Sequence, residues 1–192
     1  MSRVPARVLA ARSRAELIVD ATSVIKAIDQ IAVKLKVALF AENPLVVCVM
    51  NGGLLYTGAL LRRLQLPLEM TYVHVSRYHG AVEGSELQWH AMPQLSLNDR
   101  HVVFVDDVLD QGNTLAALCV WAREAGAQTV TTTVLVDKQI ADTRSMEVDF
   151  AALKCPDRHL IGWGMDYQGY WRDLPEIWAI PRTTAIEDEA TA

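Results

Sequence analysis

Val102-Val103-Phe104-Val105-Asp106-Asp107-Val108-Leu109-Asp110-Gln111-Gly112-Asn113-Thr114-Leu115 is the stretch on which the fold turns: an apolar strand, three carboxylates, then a glycine-containing turn that opens a helix. His101 to Val105 has the length and continuous apolarity of a strand buried on both faces. Thr114 to Ala125 reads as the following helix, closed by Gly126. A turn at a helix N-terminus aims several backbone N–H groups outward and adds the positive end of the helix dipole, which together bind phosphate without lysine. Gly112 allows φ > 0 and a close approach to the anion, and Thr114 can add a hydroxyl. The Asp106/Asp107 pair suits a polyhydroxylated sugar, whose hydroxyls donate to carboxylates, or magnesium. Two other readings compete for the acidic residues: a solvated turn in which Asp110 caps the next helix, and a phosphoacceptor receiver domain. Receivers carry their acidic pair at the end of the first strand, whereas here about a hundred residues of βα pattern come before it.

Outward from this stretch, Pro44 precedes a second buried strand, Leu45 to Met50, ended by Asn51-Gly52-Gly53. Leu54 to Leu64 reads as a helix, Glu69 to Val75 as a strand, and Thr129 to Val136 as a β-branched strand. The alternation implies an α/β fold with a mostly parallel twisted sheet flanked by helices, whose ligands lie at the C-terminal strand ends. Upstream, Ser13-Arg14-Ala15-Glu16 has the form of a capping box, and Leu17, Ala21, Val24, Ile28, Ile31 and Leu35 recur at helical spacing, so a long amphipathic helix is expected to start there. Two stretches break the alternation. Arg77 to Arg100 is polar, with two glycines and a proline, and is expected to form a mobile functional loop. The segment after Gln139 carries aromatic and charged residues in short runs and ends in an acidic tail, Ile186 to Ala192, expected to fray.

At 192 residues a single domain over 1–192 is expected, and 51% hydrophobic with 21% charged residues excludes wholesale disorder. A net charge of −5 supplies no general field for nucleic acid or an anionic membrane, so anionic ligands must be held by local groups. Cys48, Cys119 and Cys155 are odd in number, far apart and set among apolar residues, which fits neither a disulfide framework nor a zinc site and points to a reducing compartment. Met1 to Arg14 has four arginines without a signal-peptide apolar core, and no segment approaches a membrane span. A cytoplasmic protein is expected, with a short basic transit peptide as the competing reading of the N-terminus.

Val102 to Thr114 resembles the pyrophosphoryl-ribose-binding motif of the type I phosphoribosyltransferases: four apolar residues, two acidic, two apolar, then Asp-x-Gly-x-Thr. The resemblance extends from about Ser13 to Pro181, and its later parts point to the hypoxanthine-guanine branch. It implies a small hood formed by terminal segments over the sheet. It also implies that Asp106 and Asp107 hold the ribose 2′- and 3′-hydroxyls, that Asp110 is the acid/base facing purine N7, and that Gln111, Gly112, Asn113 and Thr114 hold the 5′-phosphate. Gln111 and Asn113 depart from the branch, which usually carries threonine and lysine there. Val49-Met50-Asn51-Gly52-Gly53 is similar to the family's first loop, whose backbone touches pyrophosphate through an unusual cis peptide; on residue types alone it is a tight turn. Asn51 replaces a common lysine.

Ser76-Arg77-Tyr78 resembles the start of the loop that closes over the site, which excludes water from an oxocarbenium-like ribose; composition alone leaves an ordinary surface loop open, and His79 and His90 are expected to be solvated. Lys138 stands where the family donates to the purine 6-oxo group, although a lone lysine after a strand is otherwise a surface charge. Pro156 to Tyr167 resembles the purine-binding segment: His159 would stack on the base, Leu160 would offer its backbone to the purine edge, and Asp166 would lie near magnesium with Asp106 and Asp107. Arg172 matches a pyrophosphate-binding arginine, while Trp163 and Trp171 read as packing residues. The resemblance thus implies a magnesium-dependent phosphoribosyltransferase that takes a purine base and phosphoribosyl pyrophosphate and forms a homodimer or homotetramer. A regulator of this fold acting on RNA or DNA would need a basic face or an added DNA-binding domain, and neither is visible. A pyrimidine- or adenine-specific enzyme is disfavoured by Lys138 and by Asp157 to Tyr167.

Overall fold

The computed structural model describes residues 3–77, 87–140 and 144–181. Two sheets are present. The larger has the order β4-β3-β2-β5-β6-β7, formed by β2 (Pro44–Met50), β3 (Glu69–Arg77), β4 (Leu87–Ala91), β5 (His101–Leu109), β6 (Thr129–Gln139) and β7 (Phe150–Pro156). Its five strands from β3 to β7 pair in parallel, and β4 closes one edge as an antiparallel hairpin partner of β3. The central strands alternate between two buried faces, as period 2 requires. Val46, Val103, Val105 and Leu135 face α2 (Ala21–Leu39) and α3 (Leu54–Leu64). Leu45, Val47, Val102, Phe104 and Val134 pack on the opposite side against α4 (Asn113–Glu124).

The second sheet is the hood, with order β1-β9-β8: β1 (Glu16–Val19), β8 (His159–Ile161) and β9 (Ile177–Ile180). Helix α1 (Ala6–Ser13) packs on it through Val8 and Ala11, against Ile161, Tyr167 and Ile180. Trp171 joins this cluster and its Nε1–H donates to the Val8 carbonyl at 3.1 Å, while Trp163 donates to Pro175 O at 2.6 Å. Both tryptophans therefore pack, and each also fixes a loop.

Three expectations are corrected by this architecture. The capping box does not form: Ser13 ends α1 with its hydroxyl on Ala10 O, and Glu16 and Leu17 lie in β1, where Leu17 pairs with Trp178. The cap of the long helix is Asp20, which accepts from the Ser23 N–H at 3.0 Å, and the buried stripe begins at Val24. Helix-like spacing had continued across a strand because one apolar residue of β1 fell in phase. Arg77 to Arg100 is not one loop, since β4 occupies Leu87 to Ala91 with Trp89 packed against Trp121 at 4.8 Å. Strand β5 runs on to Leu109, placing Asp106 and Asp107 within its last turns of pleat.

Candidate active site

The chain passes from β2 through α3 to β3 on one side, then returns to β5 on the other, so β2 and β5 flank the topological switch point. Ligand crevices of open α/β sheets lie outside the carboxyl ends of the strands at such a point. The β2–β5 pairing ends at Cys48–Val105, whereas β5 continues beside β6 to Leu109–Asp137. Beyond Val105 the β2 side of β5 is open, and a cleft of about 510 Å³ opens there.

Three backbone segments meet on the cleft floor. The Met50–Asn51 peptide is cis, and the Gly53 N–H folds back to Val49 O at 2.8 Å. A Cβ on Gly52 would fall 2.2 Å from Asp107 Oδ2, so any larger residue there would have to displace that carboxylate. A Cβ on Gly164 would fall 1.9 Å from Gly52 O, and Gly164 has φ +103°. The stack Asp107, Gly52, Gly164 thus ties β5, the β2–α3 turn and the hood loop together.

At the phosphate turn Gly112, with φ +79°, is the N-cap of α4, and its carbonyl accepts from the Ala116 N–H at 2.9 Å. Asp110 does not cap the helix. Its carboxylate lies 2.5 Å from Lys138 Nζ, across the cleft's edge at the end of β6. The back of the turn is covered by residues 144–146: the Ser145 N–H donates to Gln111 O at 3.1 Å, and the Ser145 hydroxyl donates to Asn113 Oδ1. Arg144 forms an ion pair with Asp137.

Burial and the charge of its neighbour push the Asp106 carboxyl well above the usual carboxylate range. Burial likewise raises Asp107 to about 6, opposed by its hydrogen bond with Asp106 and by the Arg172 guanidinium. The Asp107 backbone N–H donates to Asp106 Oδ1 at 2.9 Å. Such a pair gains from hydroxyl donors or a cation.

The far end of the cleft is built from β6, β8 and the β8–β9 loop. Lys138, 12% exposed, reaches in from the end of β6. His159 presents its ring edge-on to Tyr167 at 5.6 Å, with Nε2 at 2.9 Å from Asp166 O. Leu160 is buried and pairs with Ala179. Arg172 lies between hood and floor: one nitrogen is 2.5 Å from Asp166 Oδ1 and another 2.5 Å from Gly164 O. Gly169 N–H donates to the other Asp166 oxygen at 2.6 Å.

Gly52, Asp106, Asp107, Asp110, Gln111, Gly112, Asn113, Thr114, Lys138, His159, Leu160, Asp166 and Arg172 all line this one cleft. Asn51 does not line it itself but forms the cis peptide at its rim. Asp166 is engaged by Arg172, and among the described residues no three His, Cys, Asp or Glu side chains are placed to hold a metal ion together, so the expected trio of Asp106, Asp107 and Asp166 is not assembled. Ser76 ends in the β3–β4 hairpin outside the lining, with its hydroxyl 2.8 Å from His90 Nε2. His90 is thus exposed but partnered, its ring 4.7 Å from His74. Arg77 pairs with Leu87 through the backbone, while Tyr78, His79 and the tail 186–192 lie outside the described residues. Gly164, Ser145 and Met146 had drawn no attention in the sequence; a Gly162-x-Gly164 spacing signals the first, and no local pattern signals the others.

An open α/β sheet that ends in a buried carboxylate pair and a helix-opening phosphate turn, roofed by a small antiparallel hood, defines a sugar-phosphate-binding class. The chain belongs to the phosphoribosyl transferase family, whose domain profile matches residues 15–168. The hypoxanthine-guanine phosphoribosyltransferase of Streptococcus pneumoniae R6 is 27% identical over 163 residues, covering 84% of this chain and 91% of that protein. A bifunctional TilS/HprT protein of Listeria innocua is 32% identical over 137 residues, 71% of this chain and 21% of that protein. Among solved structures, a hypoxanthine phosphoribosyltransferase from Staphylococcus aureus superposes with a TM-score of 0.83 at 21% identity, covering 90% of this chain and 95% of that one. No helix among the described residues is long and apolar enough to cross a membrane.

Proposed function

We propose that the chain is a purine salvage enzyme: it transfers the 5-phosphoribosyl group of phosphoribosyl pyrophosphate to a 6-oxopurine, hypoxanthine or guanine, giving IMP or GMP and pyrophosphate. The observation that carries this reading is the Asp110–Lys138 pair, 2.5 Å apart, which lines the same cleft as the Gln111–Thr114 turn and His159–Leu160. A carboxylate and an ammonium side by side match a purine's N7 and 6-oxo group, an acceptor for a proton and a donor to an oxygen. The reaction is displacement at ribose C1 by a purine nitrogen, without a covalent enzyme intermediate.

In this reading Gln111 to Thr114 hold the 5′-phosphate, Asp106 and Asp107 take the ribose hydroxyls, and Asn51, Gly52 and Arg172 receive pyrophosphate. His159 stacks on the base and Leu160 offers its backbone to the purine edge. Arg172 is aimed by Asp166 and Gly164 O. The acidic pair fits magnesium, because burial raises both carboxyls and the charge of Asp107 raises Asp106 further, and a cation would offset both effects. Asp106 and Asp107 are the residues that would hold such an ion, whose positive charge would assist departure of pyrophosphate. The protein's own part is mainly positioning and electrostatics. Ser76, Arg77 and Tyr78 would begin the loop that closes the cleft to water. The reading includes a cytoplasmic homo-oligomer: the three cysteines are free and buried, and Val33, Val37 and Phe40 form an exposed apolar face on and just after α2.

The test is a panel of free bases with phosphoribosyl pyrophosphate and magnesium, monitored for nucleotide. Formation of IMP or GMP, abolished by excess chelator, is expected. Activity with adenine or a pyrimidine alone, or synthesis undiminished by chelator, overturns the assignment of substrate or cofactor respectively.

A further inference from the structure

The phosphate turn carries Asn113 where a lysine is usual, yet Asn113 lines the cleft at the first position of α4. An asparagine amide has one acceptor end and two donors, and only the donor end can face a phosphate. We infer that Ser145 orients the Asn113 side-chain amide as a donor to the 5′-phosphate, so that an uncharged pair takes the place of the lysine. The Ser145 hydroxyl donates to Asn113 Oδ1, which occupies the acceptor end and leaves the NH₂ as the end available to an anion. In the reverse orientation the carbonyl oxygen would oppose the anion.

Ser145 itself does not line the cleft; it stands behind the turn, held there at several points. Its N–H donates to Gln111 O at 3.1 Å, the neighbouring Arg144 pairs with Asp137, and a Cβ on Gly112 would lie 3.0 Å from Met146 Cγ. A residue so anchored can fix a neighbour's amide without an entropic cost at each binding event. Ser145 is therefore a positioning residue, and the role depends on the phosphoribosyl reading proposed above.

The experiment titrates wild type, Ser145→Ala, Ser145→Thr and Asn113→Ala with guanosine 5′-monophosphate and with guanosine, and measures KM for phosphoribosyl pyrophosphate. Ser145 is exposed, so its variants should melt as wild type does. Ser145→Ala is expected to weaken the nucleotide and raise that KM by about three- to tenfold, with kcat within about twofold and guanosine affinity unchanged, the size of one hydrogen bond to a charged group less thoroughly aimed. Ser145→Thr should restore binding, and Ser145→Ala should add nothing in an Asn113→Ala or Asn113→Lys background, since the two act as one unit. Equal losses for guanosine and its monophosphate, or no loss at all in an enzyme whose wild type makes nucleotide, overturn the role of Ser145 alone. A wild type that neither makes nucleotide nor binds the monophosphate overturns the phosphoribosyl reading, and this role with it.

Discussion

The end of the cleft proposed to take the sugar phosphate, Asp106 to Thr114, is one uninterrupted segment running from β5 into α4, whereas the opposite end is assembled from Lys138 on β6, His159 and Leu160 on β8, and the Asp166–Arg172 loop. The first end uses backbone: a strand terminus, one glycine at φ +79° and the N–H groups of a helix. The second uses side chains that converge from far apart in sequence, on a loop in which Gly162, Trp163, Gly164, Gln168, Gly169 and Trp171 all have positive φ. Three of those are not glycine, so tertiary contacts must hold them: Trp163 on Pro175 O, Trp171 on Val8 O, and Gln168 through its Oε1, which accepts from Arg7 Nε at 2.6 Å. An end made of backbone should depend less on side-chain identity at Gln111, while Asn113 adds its amide to the backbone donors in the proposal above. An end made of converging side chains should fail when any single contact is lost.

The largest effect expected falls where the two ends touch. Asp110→Asn keeps the side chain's size and removes its capacity to take a proton, and Asp110 has no capping duty to lose. The kcat should drop about 10²- to 10⁴-fold, the usual contribution of a placed acid/base group, with melting temperature and sugar-phosphate affinity nearly unchanged. Steady-state kinetics beside a melting curve decide it; a variant that keeps most of its kcat places the proton elsewhere. Next comes Gly164→Ala, which drives a Cβ into Gly52 O and imposes φ +103° on alanine. A loss of about 2–4 kcal/mol in unfolding free energy is expected, by denaturant titration, since the obstacle is backbone and cannot swing aside. The equivalent change at Gly58, whose Cβ would meet nothing within 4 Å, should be harmless and serves as the control. Lys138→Gln tests the discontinuous end at its contact with Asp110: about a ten- to hundredfold fall in kcat/KM for hypoxanthine and guanine, from loss of one charge-assisted hydrogen bond, with KM for phosphoribosyl pyrophosphate unchanged. If both substrates suffer equally, the two ends are not separable.

The same contrast explains what the sequence disclosed. The phosphate turn was legible because strand, carboxylates, glycine and helix follow one another without a gap, so local propensity and chemistry coincide. The parallel sheet was legible for a similar reason, through buried runs such as Leu45 to Met50. The end proposed to take the purine could be assigned only by likeness to a family, because nothing in the residues around Lys138 announces that Asp110 will stand 2.5 Å away. Ser145 shows the limit most plainly. Its contacts with Gln111 and Asn113 span more than thirty positions, and a lone serine after a polar stretch has no pattern of its own. At the N-terminus the error ran the other way: Leu17 continued a helical period that the chain abandons for β1, because pairing with β9 outweighs propensity.

The smallest effect expected concerns stability and lies wholly at the sugar end. Asp107 is buried with its carboxyl raised to about 6, against about 4 in the unfolded chain. Between those values the folded protein holds a proton that the unfolded chain has given up, so stability rises as pH falls through 6 toward 4, and the cost of the charge is fully present at pH 7.5. Two units of pKa correspond to nearly 3 kcal/mol, but the Asp106/Asp107 pair titrates as a unit and shares the effect, so about 1–2 kcal/mol is expected for one residue. Other groups carry the opposite sign: the Ser23 hydrogen bonds hold Asp20 low, and that cap weakens on acidification. The difference between wild type and Asp107→Asn isolates the pair from them. The neutral variant should be the more stable protein at pH 7.5 in the absence of ligand, and the gap should shrink toward pH 5, while its capacity to bind phosphoribosyl pyrophosphate with magnesium falls sharply. A site tuned to receive hydroxyls and a cation would then be costing the empty protein stability. Denaturant midpoints at several pH values suffice. A variant that is less stable at every pH by a constant amount would mean that the Asp107 carboxylate is held by favourable contacts even in the empty cleft, and the contrast between a strained acidic floor and a well-paired hood loop would dissolve.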